Sequence, residues 1–98
     1  MKIMAITKRV PGATSEEVVK LRPAEAASVF KLVASGALRE IYYCAERPAV
    51  VTIWECGSVD EVKKLVTTLP MVQANLIEFA DLIKKIDQIE EAMKIGRY

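Results

Sequence analysis

The sequence predicts a single α+β domain whose elements follow the order β-α-β-β-α-β. Residues 38–56 form two runs rich in β-branched and aromatic side chains around a proline-containing link, 45–48, as in a β-hairpin. A strand pattern and a helical pattern precede this hairpin, and a helical pattern and a strand pattern follow it. Because an isolated hairpin is marginal in water, we expect the flanking segments to cover it.

The first strand is predicted over residues 2–8, which are apolar with weak alternation. Thr14 and Glu17 then have the spacing of a capping box, in which the hydroxyl accepts an amide proton and the glutamate reaches back. This motif predicts a short helical segment that ends near Leu21.

Pro23 should interrupt that segment and begin the main helix, predicted over residues 23–35, because proline suits a first helical turn and not a helix interior. Gly36 is expected to close the helix in the left-handed conformation. The spacing of apolar residues predicts a buried face made of Ala26, Phe30, Val33 and Ala34.

The second helix begins at a second capping motif, with Ser58 as the cap, and is expected to run to about Leu69. Pro70 should end or bend it, and residues 71–75 are compatible with one more helical turn. Residues 76–83 are predicted to form the fourth strand.

The predicted order defines a ferredoxin-like domain over residues 1–83, with a four-stranded antiparallel sheet and both helices on one face. Residues 84–98 have helical periodicity and predict a C-terminal helix that covers its own sheet or packs on a neighbouring subunit. The chain is 52% hydrophobic, which is high for 98 residues. The bare sheet face is therefore expected to close against a second copy.

Composition excludes several classes of function. The net charge is +1 without a basic stripe, so the sequence does not predict a nucleic-acid-binding protein. No apolar run approaches the roughly 20 residues that span a bilayer, and the N-terminus reads as a strand and not as a signal peptide. We therefore expect no membrane association and a cytoplasmic location.

The two cysteines are expected to be reduced and unpaired. A four-residue loop places Cys44 opposite Ala49 and Cys56 opposite Ala37, so about seven residues at roughly 3.3 Å each separate the thiols. The chain contains no histidine, which argues against a zinc site and against Ser-His or Cys-His nucleophiles. We expect no metal and no cofactor.

The same register divides the hairpin side chains between two faces. One face is mostly apolar and suits packing under the helices, with Arg39, Ile41, Tyr43, Val50, Thr52, Trp54 and Cys56. The other places two carboxylates and a phenol on an aliphatic surface, with Leu38, Glu40, Tyr42, Cys44, Ala49, Val51, Ile53 and Glu55. Two carboxylates in apolar surroundings can act as base and acid, although Glu40 and Glu55 can equally be solvated or paired with arginine.

A resemblance to known proteins lies in Glu55 and in the segments 36–42, 46–51, 58–62, 69–72 and 76–79. These parts of the sequence resemble the small muconolactone isomerase-like proteins of the dimeric α/β-barrel superfamily. The resemblance implies that two subunits place their sheets face to face and form a barrel. It covers residues 1 to about 83, and the tail departs from it.

This resemblance implies a homodimer or a higher homo-oligomer that binds a small molecule without a metal or organic cofactor. The name-giving enzyme moves a double bond in an unsaturated lactone, which requires a base, a donor for the enolate oxygen and a dry pocket. Mapped onto this chain, the resemblance implies Glu40 or Glu55 as the base and Tyr42 as the donor. The implied substrate-binding residues are Arg39, Arg47 and Trp54, with an arginine anchoring a carboxylate.

Two other functions remain open at this point. A cofactor-independent monooxygenase of the same superfamily would act on a phenolic compound, and Trp54, Tyr42 and Tyr43 are compatible with it. A non-catalytic module would bind a ligand or only mediate assembly. An empty cavity favours an enzyme or a ligand-binding protein over a pure assembly module.

Overall fold

The computed structural model describes residues 1–84 and confirms the predicted order of the main elements. A short third helix is added before the last strand, and the helix predicted over residues 84–98 lies outside the described residues, apart from Lys84, which ends a strand. The elements are β1 (Lys2–Arg9), α1 (Ser15–Ala34), β2 (Leu38–Tyr43), β3 (Ala49–Glu55), α2 (Val59–Val66), α3 (Pro70–Gln73) and β4 (Ile77–Lys84).

The four strands form one antiparallel sheet in the order β2-β3-β1-β4, which confirms the ferredoxin-like arrangement. One sheet face packs against the helices, and its largest fully buried side chains are Trp54 and Ile3. Val62 of α2 is fully buried against them, because the apolar stripe of that helix faces the sheet. No helix within the described part of the chain has both the length and the apolar character needed to cross a bilayer.

Helix α1 differs from its prediction because it runs without a break through Pro23. Proline removes one backbone hydrogen bond, but the turns on both sides of it keep theirs, and the capping box at Thr14 holds the N-terminus. Gly36 follows the helix at φ +84°, the left-handed conformation that the sequence predicted for it.

The predicted buried face of α1 is also wrong. Val18 and Leu32 are the buried residues of the helix, and Val29 packs against the same core. Phe30 is 72% exposed and Val33 is also exposed. The stripe that contacts the core runs through Val18, Val29 and Leu32, on a helix that is continuous from Ser15 to Ala34.

The hairpin register is confirmed from Tyr43, opposite Val50, to Glu40, opposite Ile53. A bulge at Arg39 then shifts the register, so Leu38 lies opposite Trp54 and not on the face of Glu40 as predicted. As a result, Leu38 is buried on the helix side of the sheet.

The connection to the last strand corrects two boundaries. Helix α2 ends at Val66 and not near Leu69, and Pro70 begins α3, where a first-turn proline loses no helical hydrogen bond. Asn75 has φ +57° and turns the chain into β4, which starts at Ile77, one residue later than predicted.

Replacing Thr14 with alanine is expected to lower the free energy of unfolding by about 1 kcal/mol. The Thr14 hydroxyl accepts the Glu17 N–H at 3.2 Å, and the Glu17 carboxylate accepts the Thr14 N–H at 3.2 Å. Urea denaturation followed by far-ultraviolet circular dichroism measures the change. The Thr14→Ser variant keeps the acceptor and should stay near the wild type; equal losses in both variants would contradict a capping role.

Candidate active site

A cavity of about 720 Å³ lies between α1 and the helix-covered face of the sheet. This volume lies within the range of ligand-binding pockets, roughly 300–1,000 Å³. Phe30 and Val33 of α1 line the cavity and remain exposed, so they do not fill the space above the sheet. The opposite wall is formed by Trp54 and Phe79, whose rings meet edge to face with centroids 6.5 Å apart.

Two buried threonines form the polar part of the cavity floor. Trp54 Nε1 donates to Thr52 Oγ1 at 2.7 Å, and Thr52 Oγ1 donates to the Ala5 carbonyl at 3.2 Å. Thr7 Oγ1 donates to the Val50 carbonyl at 3.4 Å. Both threonines are more than 90% buried and line the cavity.

Charged groups line the cavity nearer its opening. Three arginines contribute, Arg9 from the end of β1, Arg22 from α1 and Arg47 from the β2–β3 loop. Arg22 and Arg47 are exposed, whereas Arg9 is half-buried and donates through Nη1 to Ser15 Oγ at 3.3 Å. Three guanidinium groups and one carboxylate, that of Glu25, give this lining an excess of positive charge. The arrangement favours a small anion as ligand.

Glu25 is the acidic residue that lines the cavity, and it is half-buried. The backbone N–H of Met71, in the first turn of α3, donates to Glu25 Oε1 at 3.0 Å and orients the carboxylate. Burial raises the pKa of Glu25 above its usual value despite this hydrogen bond. A carboxylate with a raised pKa beside an apolar cavity has the properties of a general base.

Glu25 was not among the site residues predicted from the sequence, although the pattern of α1 indicates it. Val18, Glu25, Val29 and Leu32 share one face of α1, so an acidic residue interrupts an otherwise apolar stripe. The predicted break at Pro23 separated Val18 from the rest of this stripe. A continuous helix places Glu25 near its centre.

Two of the six predicted site residues line the cavity. Trp54 is fully buried in its wall, and Arg47 lies near its opening. Cys44 lines the cavity beside Arg47, and a hydrogen bond from the backbone of Glu46, aided by Arg47, lowers the pKa of its thiol. Both cysteines are free, as predicted.

The other four predicted residues lie outside this cavity. Glu40 and Tyr42 are together on the sheet face that none of the helices within residues 1–84 covers, called the uncovered sheet face below, where the Tyr42 hydroxyl donates to the Glu40 carboxylate. This hydrogen bond raises the pKa of Tyr42 and keeps its hydroxyl protonated. The Glu55 carboxylate accepts a hydrogen bond from the N-terminal ammonium at 3.0 Å, and this bond lowers the pKa of Glu55. Arg39 Nε donates to the Gly36 carbonyl at 2.6 Å.

Within residues 1–84, no three histidine, cysteine, aspartate or glutamate side chains converge in a way that would hold a metal ion. The described cavity residues offer a carboxylate for proton transfer and guanidinium groups for anion binding.

A protein of known structure shares this fold. A 5-chloro-2-hydroxyhydroquinone dehydrochlorinase from Burkholderia phenoliruptrix AC1100, solved with 2,5-dihydroxybenzoquinone, has a TM-score of 0.67 and 21% sequence identity over 93% of this chain and 98% of that chain. Protein Atu4242 from Agrobacterium tumefaciens has a TM-score of 0.46 and 19% identity over 89% of this chain and 95% of that chain. No curated protein sequence gives a significant match.

The family comparison covers most of the sequence. The model of the muconolactone delta-isomerase family matches residues 3–84, which cover every strand and helix that the structure describes, apart from Lys2 at the start of β1. This chain therefore belongs to the muconolactone delta-isomerase family.

Proposed function

We propose that the protein is a cofactor-independent enzyme that isomerises a small anionic carbonyl compound, such as an unsaturated lactone, in the cavity beneath α1. The observation that carries this proposal is the half-buried Glu25 carboxylate in a cavity of about 720 Å³. Membership of the muconolactone delta-isomerase family supports the same reaction class.

In the proposed reaction, Glu25 removes a proton from the γ-carbon of an α,β-unsaturated carbonyl compound. The electron pair of that C–H bond moves through the carbon–carbon double bond toward the carbonyl oxygen and forms a dienolate. Glu25 then returns the proton to the carbon next to the carbonyl, so the double bond moves and no atom is gained or lost. Arg22 and Arg47 bind the anionic group, and an arginine N–H also stabilises the charge on the enolate oxygen.

Glu25→Gln is expected to slow this proton transfer by about 100-fold, because an amide cannot accept the proton. The probe is muconolactone in deuterated buffer, with deuterium incorporation next to the carbonyl followed by NMR. Glutamine keeps the side-chain oxygen that accepts the Met71 N–H, so folding should be retained. Circular dichroism checks that the variant is folded.

The assignment drawn from the resemblance predicts a different outcome. If Glu40 or Glu55 is the base, Glu40→Gln or Glu55→Gln should lose exchange activity while Glu25→Gln keeps it. The three variants therefore separate the two faces of the sheet as sites of catalysis. Full activity in Glu25→Gln would refute the role proposed for Glu25.

The pH dependence provides an independent prediction. The ionised form of Glu25 accepts the proton, so kcat/KM should fall as pH is lowered through the pKa of Glu25. Burial raises that pKa above 4.5, so the fall should begin at a higher pH than for an exposed glutamate. A profile that stays flat down to pH 4.5 would contradict this assignment.

A second candidate is a cofactor-independent monooxygenase acting on a phenolic compound. The aromatic rings of Trp54, Phe79 and Phe30 in the cavity lining favour it. An oxygen electrode separates the two reactions, because isomerisation consumes no dioxygen and monooxygenation consumes one molecule per turnover.

The proposal includes a homodimer that forms through the uncovered sheet face. Met4, Ile6 and Ile53 lie at the centre of this face, and the ion pair between Lys8 and Glu78 lies at its edge. An apolar centre with a charged rim is typical of subunit interfaces. The Glu40–Tyr42 pair lies on the same face and would be buried by dimerisation.

A further inference from the structure

We infer that the cavity selects a flat ring whose inner end carries a hydroxyl group and whose outer end carries an acidic group, with Thr7 as the specificity-determining residue. This inference rests on the proposed function only for the location of the binding site. It adds the direction in which the ligand lies and the hydrogen-bonding character of its inner end.

Thr52 offers the ligand an acceptor, and its own proton already has a partner. Its hydroxyl oxygen receives the Trp54 Nε1 hydrogen at 2.7 Å, and an indole N–H can only donate. The hydroxyl proton is therefore directed to the Ala5 carbonyl, 3.2 Å away. One lone pair of Thr52 Oγ1 remains for a ligand.

Thr7 also has a backbone partner for its proton. Its hydroxyl donates to the Val50 carbonyl over the longer distance of 3.4 Å, and both lone pairs of Oγ1 are available to a ligand. Thr7 pairs with Val50 and Thr52 pairs with Ala5 in the β1–β3 ladder, so the two threonines are diagonal neighbours on the helix side of the sheet. Together they form a buried pair of acceptors on the cavity floor.

The floor therefore favours a ligand hydroxyl over a carbonyl. A carbonyl or carboxylate placed there could accept a threonine proton only by displacing a backbone carbonyl, since the Trp54 N–H is already used by Thr52, whereas a ligand hydroxyl gains a hydrogen bond without breaking one. The strong donors of the lining are arginines: Arg22 and Arg47 are exposed, and the half-buried Arg9 donates to Ser15. An acidic group thus binds at the opening, and a hydroxyl points to the floor.

The shape of the walls adds a preference for a planar ligand. Trp54 and Phe79 form one aromatic wall, and Phe30 of α1 contributes a ring from the other side. Aromatic side chains pack favourably on a ring through stacked or edge contacts. The chemical class that meets these conditions is a hydroxylated aromatic acid or the enol form of a cyclic keto acid.

The test is isothermal titration of the full-length protein with three probes of similar size: 4-hydroxybenzoate, 4-formylbenzoate and benzoate. The first carries a donor opposite its carboxylate, the second an acceptor and the third neither. We expect 4-hydroxybenzoate to bind at least about fivefold more tightly than the other two, as one hydrogen bond to a buried acceptor allows. Tighter or equal binding of 4-formylbenzoate would overturn the inference.

Thr7→Val and Thr7→Ser form a matched pair of variants. Valine has the shape of threonine without the acceptor, so Thr7→Val should reduce binding of 4-hydroxybenzoate to the level of benzoate. Serine keeps the hydroxyl, so Thr7→Ser should retain the preference. A preference that survives in Thr7→Val would overturn the role of Thr7, and the wild-type preference remains a test if that variant does not fold.

The outcome separates this inference from the proposed reaction. Glu25→Gln should retain the preference for 4-hydroxybenzoate even though it loses proton exchange. If Glu25→Gln remains active while the wild type still prefers 4-hydroxybenzoate, the proposed reaction fails and the ligand class stands. If none of the three probes binds, the assignment of an aromatic acid to this cavity is refuted, whatever the exchange assay shows.

Discussion

Replacing Trp54 with alanine is expected to lower the free energy of unfolding by about 3–5 kcal/mol. Trp54 is the largest fully buried side chain, and it contacts the core formed by β1, α1 and α2. Its loss leaves a cavity and also removes the N–H donor to Thr52. For a domain of 98 residues, this is a large fraction of the total stability, so the variant should be mostly unfolded at modest urea concentrations.

Tyr43→Ala is the matched control, because it removes an aromatic ring from the neighbouring strand. Tyr43 is 81% exposed, so its loss should change the stability by no more than about 0.5 kcal/mol. Far-ultraviolet circular dichroism during urea denaturation follows both variants without depending on tryptophan fluorescence. Similar stability losses in the two variants would contradict the described core.

Introducing a charge at the centre of the uncovered sheet face is expected to convert a homodimer into a monomer. In Ile53→Lys, each subunit would bury an ammonium group at the interface, at a cost of several kcal/mol. This corresponds to an increase of about 1,000-fold or more in the dimer dissociation constant. Multi-angle light scattering at micromolar concentration should show a dimer or larger assembly for the wild type and a monomer for the variant.

Val19→Lys is the control for this experiment. Val19 is an exposed apolar residue on α1, away from the uncovered sheet face, so a lysine there should leave the assembly unchanged. A wild-type protein that is a monomer at micromolar concentration would refute the barrel. Dissociation of both variants would indicate that the interface lies elsewhere.

Most of the fold could be predicted from local patterns. The hairpin register followed from the length of the 45–48 loop, and the start of α1 followed from the spacing of Thr14 and Glu17. These features depend on residues close in sequence, whose turn and capping geometry is local. The bulge at Arg39 could not be predicted in this way, because nothing in the alternation of β2 marks an extra residue.

The candidate site was less predictable than the fold. Glu40, Tyr42 and Glu55 were predicted as catalytic residues, because two carboxylates and a phenol are unusual on an otherwise aliphatic hairpin face. In the structure, Glu40 and Tyr42 bond to each other, and Glu55 bonds to the N-terminus. Glu25 looked like an ordinary surface residue of a helix, and only the packing of α1 against α3 gives it a half-buried setting.

The sequence by itself determined the order of the main strands and helices and the ferredoxin-like class. These depend on residue spacing and on the spread of apolar residues, which a chain carries before it folds. The family followed from the resemblance of particular segments to known proteins. Only the tertiary structure decided where the cavity lies, which carboxylate faces it and which way the threonine hydroxyls point. The height of α1 above the sheet and the partners of Thr7, Thr52 and Glu25 arise from residues distant in sequence, so no local pattern encodes them.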